Sequence, residues 1–229
     1  RRCHPRWYAA ALSVYEMRRD SSSLDKLLEN PRVWRGHNQA HASEGLASGY
    51  EALDRHLPGG GWPQGALTEI LVEHYGIGEL RLLMPALAAL STADNGMDYN
   101  EPGWIAWVSP PFQPYPPALQ QWGVDLSRML IVRPRDASEM LWSAEQALSS
   151  GTCAAVLLWS DTLDDQASRR LQLAAEKGNS WAIAFRPPSA RRQPSAAALR
   201  IELLPGQEGT RVSILKSRGG RPAVLHDLL

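Results

Sequence analysis

Residues 66–80 read Ala66-Leu67-Thr68-Glu69-Ile70-Leu71-Val72-Glu73-His74-Tyr75-Gly76-Ile77-Gly78-Glu79-Leu80. Ala66–Val72 is rich in β-favouring residues and predicts a strand. Gly78–Leu90 predicts an apolar helix that Pro85 should bend. A strand, a glycine-containing turn and a helix, in that order, are the setting of a phosphate-binding loop. Such a loop uses glycines to bring backbone N–H groups around phosphates, a lysine to neutralise them, and a Ser or Thr hydroxyl for magnesium. With Gly78 in the place of the last loop glycine, Glu79 stands where the lysine belongs and Leu80 where the hydroxyl belongs. A carboxylate about 4 Å from a phosphate charge is repelled by about 4 kcal/mol at an effective dielectric of about 20. Leu80 offers no oxygen to a hard cation.

The second requirement of a nucleotide site is an acidic residue at the end of a central strand. Here Val156-Leu157-Leu158 is followed by Trp159, and Asp161 arrives two residues late. Nucleotide hydrolysis is therefore not expected, nor is any cofactor, metal or catalytic residue. If the turn is only a glycine-rich connection, the expectation is the same.

Outward from this stretch, strands and helices alternate. Strands are predicted at Trp104–Ser109, Met129–Val132, Cys153–Trp159 and Trp181–Phe185. Helices are predicted at Pro116–Trp122 (closed by Gly123), Ser138–Leu148 and Leu163–Lys177. Cys153–Trp159 is apolar throughout, as befits a strand covered on both faces. Leu199–Leu204 and Thr210–Lys216 read as a hairpin across Pro205-Gly206. The pattern predicts an α/β fold: a mainly parallel sheet, helices on both faces and a C-terminal antiparallel hairpin. Upstream, Ser23 opens a short helix that Pro31 stops, residues 36–45 form a linker, and a second short helix, Gly49–Leu57, ends at Pro58-Gly59-Gly60-Gly61. The expected division is an arm over 1–47, a core over 48–216 and a tail over 217–229.

The 229-residue chain carries 24 basic and 24 acidic side chains, with no apolar run long enough to span a bilayer. Two cysteines, Cys3 and Cys153, build neither a disulfide framework nor a zinc site, which points to a reducing, cytoplasmic setting. The mildly apolar Trp7–Tyr15 imitates a signal peptide, but no small-x-small cleavage site follows it. Charge is uneven: residues 1–36 carry 8 basic and 4 acidic side chains, and residues 186–229 carry 8 and 3, leaving 8 and 17 between them.

The stretch Gly49-x-x-x-Leu53-Asp54 … Leu57-Pro58-Gly59-Gly60-Gly61-Trp62-Pro63-x-Gly65-Ala66-Leu67-Thr68-Glu69-Ile70 resembles the opening of a RecA-type core. The altered loop HYGIGELRLLMPALAAL and the later WIAWVSPPFQPYPPALQQWGVDLSRMLIVRP are similar to two RecA-derived groups, ImuA and SulA. The resemblance covers about residues 24–229 and favours ImuA, because SulA proteins are shorter and match mainly the central block. It implies a RecA-like core with a degenerate phosphate loop. The implied role is that of an accessory of SOS-induced translesion DNA synthesis, without chemistry of its own. The implied partners are an ImuB-like Y-family protein, an error-prone polymerase subunit and RecA, with self-association possible. The alternatives are a SulA-like inhibitor of the tubulin-like division protein and an ATPase with an unorthodox loop.

The resemblance also marks Lys216 and Arg218, which match the RecA basic pair that reaches a neighbour's ATP; Arg221 follows them. Trp34 and Trp62 flank loops, where an exposed aromatic marks an interface. Trp104, Trp107, Trp142, Trp159 and Trp181 fall in predicted regular elements, and most of them are expected in the core. The loop Arg186–Ala198 reads as mobile and polar, lying at the sheet edge where ligands bind. Its Arg191 and Arg192 are candidates for weak, salt-sensitive nucleic-acid contact, since two cations release only about two counterions. His37 and His41 lack a third metal ligand, and Cys153 reads as a small core residue. Asp164 and Asp165 should supply negative charge to the helix after them. The apolar tail end should dock, most simply on its own domain.

Overall fold

Alternating strands and helices build one eight-stranded sheet in the computed structural model, which describes residues 44–92, 103–206 and 209–229. The helix expected after Ser23, together with Trp34, His37 and His41, lies outside these residues. The strands are β1 (Leu67–Val72), β2 (Trp104–Val108), β3 (Met129–Val132), β4 (Cys153–Trp159), β5 (Trp181–Arg186), β6 (Leu199–Pro205), β7 (Thr210–Ser217) and β8 (Ala223–Leu225). Their order is β3-β2-β4-β5-β1-β6-β7-β8. β1 to β6 pair in parallel, and β7 and β8 add antiparallel strands.

The helices are α1 (Glu51–Asp54), α2 (Glu79–Ser91), α3 (Pro116–Gln121), α4 (Ala137–Ser149) and α5 (Asp165–Gly178). Strand alternation sends neighbouring side chains to opposite faces. Ile70, Ile105, Trp107 and Ile183 pack under α2 and α3, with Leu82, Leu87 and Leu119. Leu67, Ala106, Val156 and Ala182 pack under α4 and α5, with Met140, Leu171 and Ala175. β1, β4 and β5 are buried at every position, as their apolar runs require.

Local chemistry sets the helix ends. Asp136 accepts from the Glu139 amide at 2.8 Å and Asp164 from the Ala167 amide at 2.7 Å, opening α4 and α5. α2 runs on through Pro85, which has no N–H to offer the carbonyl of Arg81. The Tyr50 hydroxyl donates to that carbonyl at 3.2 Å instead.

Two expectations are corrected and a third is refined. Trp62 is fully buried, not an exposed interface residue. It stacks on Trp181 with ring centroids 5.2 Å apart, and its backbone exchanges two hydrogen bonds with Leu46. The close approach that brings Leu46 in requires a residue without Cβ at Gly61. Among the five tryptophans of which most are expected in the core, Trp142 is an exception: it is 58% exposed, because Met140, Ala144 and Leu148 take the inner face of α4. The loop after β5 is not a free polar excursion. It makes a short 3-10 turn over Pro188–Arg192, buries Ala190, Ala197 and Ala198, and is tied down by a buried ion network.

The tail pairs as β8 with β7, Leu225 is buried, and Leu228 and Leu229 pack against the core. No helix among the described residues is long and apolar enough to cross a membrane.

Candidate functional site

The turn after β1 holds its own anion. Gly76 and Gly78 adopt φ of 93° and 108°, a region open chiefly to glycine. This brings the carboxylate of Glu79, the first residue of α2, back onto the turn. Both its oxygens accept from the Gly76 amide, at 2.9 and 3.0 Å. Glu79 is only 5% exposed. A phosphate loop presents amides to a ligand, whereas this turn presents an amide to its own side chain. Charge-assisted bonds to a backbone N–H are among the stronger ones, and the helix N-terminus favours the carboxylate further.

Other groups close the turn from below. Thr210, at the start of β7, donates its hydroxyl to the carbonyl of Ile77 at 2.6 Å. The Leu229 side chain lies so near Gly78 that a Cβ there would approach it to 2.9 Å. At the end of β4, Trp159 stacks on Phe185 at 4.8 Å and meets Trp107 at 5.3 Å, so this strand end is aromatic core. Asp161 is exposed beyond it, facing Tyr75. Burial first, then Asp161 and Glu79, push the Tyr75 hydroxyl above its ordinary pKa.

A second charged group sits inside the sheet. Glu69, fully buried in β1, accepts from Arg186 Nη1 at 3.0 Å, Arg200 Nε at 2.8 Å and the Ser195 hydroxyl at 2.7 Å. Arg186 also donates to the Leu163 carbonyl and to Gln193 Oε1, and Arg200 donates to the carbonyls of Ala190 and Gln193. The loop after β5 is thereby folded across the face of the sheet. Lys216 reaches this loop, donating to the Ser195 carbonyl at 2.9 Å. Partial burial, then Arg218 and Arg200, lower its pKa.

A family model described as cell division inhibitor SulA matches residues 65–182. ImuA of Caulobacter vibrioides is 30% identical over 198 residues, spanning 77% of this chain and 80% of that protein. The chain belongs to the ImuA family. ImuA and SulA share one superfamily here, with SulA the shorter match. SulA of Photorhabdus laumondii is 33% identical over 109 residues, 46% of this chain and 59% of that protein. The crystal structure of SulA from Pseudomonas aeruginosa aligns at a TM-score of 0.42 and 25% identity, over 52% of this chain and 97% of that chain.

In this ImuA-family chain the residues singled out by sequence scatter. Lys216, Arg218 and Arg221 are exposed at and beyond the end of β7. Register places that end beside Arg200 and Glu69 rather than beside the turn at Gly76. Arg218 also lies 3.7 Å from Glu176. Arg191 is paired with Glu202 at 2.8 Å, so half of the expected phosphate-contact pair already has an anion; Arg192 is exposed. No group of three metal-ligating side chains occurs among the described residues. Sequence reasoning missed the Glu69 network, because its partners lie 117 and 131 residues downstream. The one available signal was a carboxylate inside an otherwise apolar strand.

Proposed function

We propose that this ImuA-family chain is a non-catalytic, RecA-derived accessory of SOS-induced translesion DNA synthesis. In this reading it acts through contacts with an ImuB-like Y-family protein, an error-prone polymerase subunit and RecA. The observation that carries the non-catalytic part is the Glu79 carboxylate on the Gly76 amide. A nucleotide phosphate would have to displace a buried anion from the amide it needs. The ImuA relative, matched over most of both chains, supports the mutagenesis role. Lys216 and Arg218 are the cations offered to RecA.

Co-expression with the Y-family protein and with RecA tests the proposal. Co-purification with either supports it, and reversal of both charges (Lys216→Glu with Arg218→Glu) should abolish RecA capture. ATP turnover that disappears on changing residues 76–80 would overturn it. The SulA match over 65–182 favours one second reading, inhibition of the tubulin-like division protein. Filamentation of cells on expression would favour that reading.

A further inference from the structure

The loop between β2 and α3 reads Ser109-Pro110-Pro111-Phe112-Gln113-Pro114-Tyr115 and leaves Phe112 71% and Tyr115 69% exposed. Prolines fix φ, so the rings are held out on a stiff backbone and little chain entropy is lost when they are covered. Gln113 adds a tether, accepting from Arg133 Nη2 at 2.6 Å. Phe112 meets Tyr75 edge-on, with centroids 6.5 Å apart and planes at 84°. Two carboxylates act on Tyr75, those of Asp161 and Glu79. Glu79 is committed to Gly76, whereas Asp161 and Glu73 are exposed at the same edge of the sheet. Aromatic rings and exposed acids thus stand at the ends of β1, β2 and β4, with Phe112 and Asp161 both acting on Tyr75.

We propose that Phe112, Tyr115, Tyr75, Asp161 and Glu73 form a docking rim for a segment of a partner protein that carries arginine or lysine beside an apolar side chain. A guanidinium or ammonium gains from lying over a ring face and from a neighbouring carboxylate together. The apolar neighbour covers Phe112. Phosphates would meet Glu73 and Asp161 with the same sign of charge, and Arg133, the exposed cation at this loop, already donates to Gln113. The rim stands apart from the Lys216–Arg218 cations and does not depend on the partners named above.

The test uses the full chain and three labelled probes: the peptide Arg-Leu-Arg-Leu-Arg-Leu, its Glu-Leu counterpart, and a thymidine oligonucleotide. Fluorescence anisotropy should show binding of the Arg-Leu peptide alone. The pair Phe112→Ala and Tyr115→Ala should weaken it about tenfold, with an unchanged melting midpoint because both rings are exposed. The charge-only pair Glu73→Gln and Asp161→Asn should weaken it about threefold at low salt. Equal binding of the Glu-Leu peptide or the oligonucleotide would overturn the proposal. So would failure of the Arg-Leu peptide to bind, or affinity indifferent to the aromatic pair.

Discussion

The Glu79 carboxylate and the Gly76 amide, three residues apart, close the turn after β1 upon themselves at 2.9 and 3.0 Å. Replacing Glu79 by Ala leaves this amide without its anion and removes a charge suited to the first turn of α2. A loss of about 1.5–3 kcal/mol is expected, as for a hydrogen bond to a charged group. Urea denaturation of Glu79→Ala measures it. Glu79→Gln, which keeps an acceptor, should lose less.

Glu69 stands between Arg186 and Arg200, and all three are buried. Glu69→Ala strands two guanidinium groups and should lower stability by about 3–5 kcal/mol. The loop after β5 should loosen with it, read as faster amide exchange at Ala197 and Ala198.

Trp62 is core, so its truncation is a stability experiment and not a binding one. Trp62→Ala should lower stability by about 3–5 kcal/mol. Where the variant stays folded, its partner affinity should be unchanged in a pull-down titration.

Tyr75 should ionise after the ordinary tyrosines in an ultraviolet pH titration, and Tyr75→Phe should remove that late phase. Because its folded pKa is raised, the stability it contributes is full below the unfolded value of 10.0 and is lost as pH rises through the folded one. Asp161→Asn should bring the midpoint only partly back, burial being the larger cause.

Cys153 is buried at the start of β4, and burial pushes its thiol up. In a Cys3→Ser background the folded protein should resist iodoacetamide at neutral pH and label fully in denaturant. Rapid labelling of the native protein would contradict the packing.

Most of the architecture was legible because apolar runs and caps are local signals. Met129–Val132 and Cys153–Trp159 begin and end where their runs do. Asp164 announced α5, which its side chain caps. What failed was long-range. Nothing near Trp62 tells that Leu46 and Trp181 will enclose it, and the same side chain in a loop elsewhere would be exposed. Trp142 differs from Met140 only by two steps around a helix. Glu69 has no neighbour in sequence that reveals its arginines. In the turn, the presence of Glu79 and Leu80 after Gly78 was readable, but the return of Glu79 onto Gly76 depended on backbone angles that letters do not display.

β7 runs against β6, so Thr210 touches the turn at Ile77 while Lys216 lies six residues away along the strand, about 20 Å at 3.3–3.4 Å per residue. The aromatic, acidic rim and the cationic strand end therefore lie at opposite ends of the strands. Charge reversal at Lys216 and truncation of the rings at Phe112 and Tyr115 therefore act on separate surfaces of the described residues, and each can be read without the other.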